Sequence, residues 1–157
     1  MMPSPRGPAT LHPSLYPLWL RFERLARAAL PPSVRLLLVF AWRSSEAQDR
    51  LHQIGRRGVP GERIVTRARG GESWHNVERD GHPASLAFDV AALAPNGEYL
   101  PGDDEAWQII GRVAESLGLT WGGRWRMRDF GHCQMDDGGA LTLADAMAGT
   151  DPAGRAA

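Results

Sequence analysis

His75, Asp89, Asp129 and His132 are the residues of this 157-residue chain whose types and spacing could do chemistry together. A catalytic zinc commonly takes three protein ligands from histidine and carboxylate and leaves a fourth position open. His75, Asp89 and His132 supply that count. Asp89 lies between Phe88 and Val90 in an apolar run, where a carboxylate is expensive to bury without a cation or hydrogen-bond donors. Asp129, three residues before His132, stands where a general base would be wanted, close to the metal and not bound to it. Any one of these residues alone is more often an exposed histidine or an edge aspartate. Their combination describes both a metal site and a hydrolytic reaction.

The elements that must position them can be read from apolar periodicity. Leu18, Phe22, Leu25, Ala26 and Ala29 repeat at helical spacing, and Pro31-Pro32 ends that helix. Val34 to Phe40 is a continuous apolar run suited to a buried strand. Ser45 with Gln48 resembles a capping box ahead of Leu51 and Ile54, which predicts a second helix. Arg63 to Thr66 suits a short strand, and Leu86 to Leu93 a longer one that carries Asp89. Asp103 or Asp104 caps a third helix with the stripe Trp107, Ile110, Ala114 and Leu117, closed by Gly118. His132 to Met135 completes the set as a final strand. Helices and strands do not alternate strictly, so the expected fold is α+β: a mainly antiparallel sheet packed with about three helices and carrying the metal site. Residues 1–13 and 148–157 read as loose tails around one catalytic domain over 14–147.

Composition narrows the function classes. Lys plus Arg and Asp plus Glu both number 18, so no net field argues for nucleic acid or an anionic membrane. The single cysteine, Cys133, excludes an intrachain disulfide and a cysteine-based metal site. In a strand its side chain faces away from that of His132. No segment has the roughly 20 apolar residues of a membrane span or the unbroken core of a secretory signal. The chain is therefore expected to be made in the cytoplasm as a soluble monomer.

Ser73-Trp74-His75, Ala87-Phe88-Asp89, Trp121-Gly122-Gly123-Arg124-Trp125 and Asp129-Phe130-Gly131-His132 resemble, in order and interval, the motifs of bacterial cell-wall zinc peptidases. That family includes D-alanyl-D-alanine carboxypeptidases and phage L-alanyl-D-glutamate endopeptidases. The likeness covers residues 34–136 and includes three departures, one of them Cys133 in place of an apolar or aromatic residue. The family usually places its first histidine and aspartate seven positions apart, whereas His75 and Asp89 are fourteen apart. His82 does stand seven before Asp89, but it lacks the preceding serine and sits in the turn-like Asp80-Gly81-His82-Pro83. His75 is therefore the expected ligand and His82 its rival. Gly131 also replaces the usual proline, which predicts a less rigid segment before His132.

The resemblance implies one zinc held by His75, Asp89 and His132, which makes hydroxide available at neutral pH and polarises the scissile carbonyl. It implies Asp129 as the base that takes the water's proton and returns it to the leaving amine. Surface pairing with Arg126 or Arg128 is the competing reading of Asp129. Arg43 matches a family arginine that contacts substrate and the developing oxyanion, although a surface charge would look the same. Ser73, Gln48 and Trp125 fall at substrate-binding positions. Ser73 could instead orient His75, Gln48 could be explained by its cap, and Trp121 and Trp125 could wall the groove or anchor the core. The implied substrate is the peptidoglycan stem peptide, cut between L-alanine and D-glutamate by an endolysin-like enzyme that reaches the wall after release or through another protein's pore. A D-alanyl-D-alanine carboxypeptidase and a non-hydrolytic zinc-containing wall-binding module are the alternatives. A metal-dependent nuclease would want more carboxylates or a basic groove.

Overall fold

Leu15, Trp19, Phe22 and Ala26 recur at helical spacing and are fully buried, which sets the inward face of the first helix, α1 (Tyr16–Ala29). The computed structural model describes residues 7–153. The buried stripe of α1 is rotated from the expected one: Leu18 packs only at its edge, Leu25 is 38% exposed and Ala29 is exposed. Trp19 and Phe22 win the inward positions because both rings meet Phe88, with centroids 5.0 Å apart in each case.

Phe88 belongs to the strand around which the sheet is built. The strands β1 (Arg35–Phe40), β4 (Ala87–Leu93), β5 (Thr120–Trp121) and β6 (His132–Gln134) form one antiparallel sheet in the order β1-β4-β6-β5. A separate two-stranded hairpin, β2 (Glu78–Arg79) with β3 (His82–Pro83), lies between His75 and β4. The helices α2 (Ser45–Gln53), α3 (Glu105–Ser116) and α4 (Leu143–Met147) complete the α+β architecture. Among the described residues no helix is long and apolar enough to cross a membrane.

Successive residues of a strand face opposite sides of the sheet, and that alternation separates core from site. Phe88, Val90 and Ala92 of β4 and Cys133 of β6 enter the hydrophobic core with Leu36, Trp107, Ile110 and Ala114. Asp89, His132 and Gln134 face the other side. Burial and neighbouring carboxylates push the Cys133 thiol well above its ordinary range, in keeping with an inert core residue.

Several expectations need correction. β1 is an edge strand with Leu36 buried and Leu37 40% exposed, so its apolar run does not mark a two-sided burial. Residues 63–66 form no strand, having no neighbouring strand to pair with. The second helix is capped by Ser44, whose Oγ accepts from the Ala47 N–H at 3.1 Å, and not by Ser45 with Gln48. Residues 7–13 are not a loose tail: Thr10, Leu11 and His12 are buried. Backbone bonds exchanged with Ser85 (2.8 and 2.9 Å) hold them against the chain entering β4. At the other end, Asp151 accepts from Arg79 Nε at 3.0 Å and meets His12 Nε2 at 2.9 Å. These ties are polar and long-range, so low apolar content does not reveal them. The outermost parts of both expected tails, 1–6 and 154–157, lie outside the described residues.

The Trp121 indole is sandwiched by two glycines. A Cβ at Gly111 would lie 2.3 Å from the ring and one at Gly123 2.2 Å, and the indole N–H donates to the Phe130 carbonyl at 2.8 Å. Gly111→Ala should cost about 1–3 kcal/mol through overpacking and lower the thermal midpoint by several degrees, on the order of 2–4 °C per kcal/mol. An unchanged midpoint in thermal unfolding would mean that α3 can slide off the indole.

Candidate metal centre and catalytic cleft

Asp89 and His132 sit directly opposite one another in the β4–β6 ladder, so both side chains leave the same face at neighbouring positions. The Val90 N–H donates to the Gly131 carbonyl at 2.9 Å, which holds the approach to His132 against β4. A Cβ at position 131 would stand 2.4 Å from the Val90 oxygen. Glycine here therefore permits a close backbone approach, and the segment is pinned where a loosened one was expected.

His75 arrives from outside the sheet. It lies in a single 3-10 turn, Trp74–Asn76, closed by a capping box in which the Ser73 hydroxyl accepts from the His75 N–H and the Asn76 side chain accepts from the Ser73 N–H. Asn76 also donates to the Arg43 carbonyl at 2.8 Å, while the Arg43 N–H donates to the His75 carbonyl at 2.9 Å. The turn is thus stitched to the segment that follows β1.

The result is a triangle of ligand atoms. His75 Nε2, Asp89 Oδ1 and His132 Nδ1 lie 3.2, 3.1 and 3.3 Å apart, taken as His75–Asp89, Asp89–His132 and His75–His132. The hydrogen-bond network assigns the tautomers. His75 Nδ1 faces the Ala41 carbonyl at 2.6 Å and His132 Nε2 faces the Gln134 side-chain oxygen at 2.8 Å, so each of those nitrogens carries a proton as donor. In the neutral rings the other two nitrogens then present lone pairs towards a carboxylate. Acceptors gathered this closely need positive charge between them. In a tetrahedral zinc site with bonds of about 2.05 Å, ligand atoms stand about 3.3 Å apart, so the donor set fits such an ion. Without a metal His132 is drawn towards its charged form: burial opposes its protonation, but the hydrogen bond and charge of Asp89 raise its pKa. Burial likewise works to raise the Asp89 carboxyl, yet the two histidines hold it well below the ordinary range.

The ring orientations are backed by residues that the sequence reading did not single out. Gln134 Nε2 donates to Asp136 Oδ2 at 2.8 Å, which turns its oxygen towards His132, and Thr120 Oγ1 donates to Asp136 Oδ1 at 2.7 Å. Such supports orient metal-bound imidazoles. The signal was available: His132, Gln134 and Asp136 alternate along one extended segment, as residues sharing a face do.

Arg43 reaches over Asp89, with Nη2 3.4 Å from Oδ2, and its Nη1 donates to Gln48 Oε1 at 2.8 Å. Gln48 is buried and donates to the Ala68 carbonyl at 2.9 Å. Its side chain is therefore spent on aligning Arg43 across the cleft and takes no part in a helix cap. Ser73, Trp125 and Asp129 line the same cavity of about 330 Å³ as the triangle. The Trp125 ring lies 5.0 Å from that of His132, whereas Trp121 is a core anchor. Asp129 is exposed at the rim. Desolvation and the nearby Asp89 charge raise its carboxyl above the ordinary value, with the two histidines opposing. Neither Arg126 nor Arg128 pairs with it among the described residues. His82 is exposed at the start of β3, away from the triangle.

A family model described as D-alanyl-D-alanine carboxypeptidase matches residues 67–135, a span that contains all four residues of the quartet. The chain is also 31% identical over 137 residues to the peptidoglycan L-alanyl-D-glutamate endopeptidase CwlK of Bacillus subtilis (strain 168), covering 82% of this chain and 75% of that one.

Direct titration with zinc is expected to show binding lost in His75→Ala and in His132→Ala and retained in His82→Ala. Gln134→Leu should weaken the metal by roughly 10–100-fold while leaving it bound. Loss of zinc in His82→Ala alone would remove His75 from the ligand set.

Proposed function

Because the chain belongs to the D-alanyl-D-alanine carboxypeptidase family of metallopeptidases, we propose that it is a zinc-dependent peptidoglycan peptidase cutting the stem peptide between L-alanine and D-glutamate. The observation that carries the metal is the triangle of His75 Nε2, Asp89 Oδ1 and His132 Nδ1. Two features favour internal cleavage. The relative with that specificity aligns over most of the chain, and the cavity shares wall residues with a further hollow on each side, at Arg43 and at Asp129, so that a peptide can run through.

Zinc, held by His75, Asp89 and His132, would supply a Lewis acid that activates water and polarises the scissile carbonyl. Asp129 takes the proton of the attacking water and delivers it to the nitrogen of the breaking C–N bond, so that the amine leaves neutral. Desolvation and the Asp89 charge shift its carboxyl upward, the direction that strengthens a carboxylate as a base. Arg43, held by Gln48, offers its guanidinium to the oxygen on which negative charge develops. Ser73 and Trp125 border the substrate, and Gln134 with Asp136 keeps the His132 ring from turning.

Asp129→Ala should keep zinc and lose turnover by about 10²–10⁴-fold. Retained turnover would displace Asp129 from its role. With purified sacculi, the wild-type protein should release material bearing new N-terminal D-glutamate, and a chelator should stop the release until zinc is restored. Free D-alanine as the product would instead establish a carboxypeptidase, and no release with zinc bound would establish a binding module.

A further inference from the structure

Beyond Asp129 the catalytic cavity continues into a hollow of about 540 Å³, with Val65, Thr66 and Trp125 common to both. Arg67 and Arg128 border this hollow, and Arg67 with Arg126 and Met127 borders the recess next to it. The three guanidinia have no hydrogen bond or ion pair among the described residues, unlike Arg43, Arg57, Arg79 and Arg124, each of which is committed to a carboxylate. The same wall is apolar: Ile64 is 46% exposed, Val65 53%, and Met127 44%. Two uncommitted cations on this apolar hollow and a third on the recess beside it, against the single carboxylate of Asp129, are complementary to an anionic chain with short carbon side groups.

We propose that this hollow is the subsite for the leaving half of the stem peptide, with Arg67, Arg126 and Arg128 receiving its carboxylates. The proposal rests on the endopeptidase reading above and supplies a direction for the substrate. Asp129 hands its proton to the leaving amine, so the fragment bearing that amine lies on the Asp129 side of the cavity. That fragment begins with D-glutamate, whose α-carboxylate is free because the chain continues through its side-chain carboxyl. The other half, on the glycan side of the bond, carries no carboxylate before cleavage. The hollow at the Arg43 end is bordered by arginines too, but Arg43 and Arg57 there are paired with Asp89 and Glu62, so the larger number of uncommitted cations, on the Asp129 side, falls to the acidic half. Val65 and Met127 give the intervening carbon groups an apolar wall.

The test compares a soluble muramoyl stem peptide with the same peptide amidated at the D-glutamate α-carboxyl, using full-length zinc-loaded protein. Removing each arginine (Arg67→Gln, Arg126→Gln, Arg128→Gln) should raise KM for the acidic peptide by as much as about fivefold per substitution. kcat should stay within about twofold, which also shows that each variant folds. The amidated peptide should start with the higher KM and respond less to the substitutions, and the corresponding lysine variants should recover much of the loss for the acidic peptide. Equal KM for the two peptides with indifferent variants would remove the subsite and leave the endopeptidase standing. Wild-type protein that cuts neither peptide would remove both.

Discussion

Three acceptor atoms meeting without a proton between them is the condition on which the rest of this molecule depends. Each histidine spends its only neutral-state proton outward, on a carbonyl or an amide oxygen, and turns a lone pair inward to the Asp89 carboxylate. Such a knot is repulsive until positive charge enters it, whether as a proton on His132 or as a bound cation. A metal bound there would contribute to folding as well as to chemistry, because ligand groups that are brought together only in the folded state convert binding energy into stability.

The sheet handles two of the three proposed ligands at little structural cost. Opposed positions in an antiparallel ladder bring Asp89 and His132 within reach, and strand alternation keeps Phe88 and Cys133 in the core behind them. The third ligand needs a custom device, a capped turn cross-linked to the backbone at Arg43. Trp121 then ties core and cleft together, since its ring is gripped between Gly111 and Gly123 while its N–H holds the Phe130 carbonyl in the segment running from Asp129 to His132. Packing deep in the protein thus fixes where the proposed base stands.

Elements with strong local signals were legible in the sequence. Trp107, Ile110 and Ala114 form the buried stripe of α3, Asp104 caps it, and β4 lies where the apolar run around Asp89 placed it. The clustering of His75, Asp89 and His132 was legible because a carboxylate in an apolar run, as at Asp89, is costly and few chemistries repay it. What escaped was set by long-range polar contacts. Gln48 resembled part of a cap because the local pattern allows it, whereas its partners Arg43 and Ala68 belong to other segments. His12 and Thr10 lay in a proline-rich stretch, and their burial depends on Ser85 and Asp151. Gln134 and Asp136 carry no special meaning until His132 is known to need an orienting partner.

The fourteen-residue interval between His75 and Asp89 contains a hairpin that pairs with itself. Asp80 and Gly81 make its turn with positive φ, and Arg79 anchors it to the chain's far end through Asp151 and the carbonyls of Ala146 and Thr150. The positions of these two proposed ligands are set by the turn's bonds to Arg43 and by the ladder with β6, both independent of the hairpin. The stretch of chain joining them therefore acts as slack that has been tidied away. Its length can drift between related proteins without moving a ligand atom, so counting residues between such ligands is a poor guide to whether they share a metal.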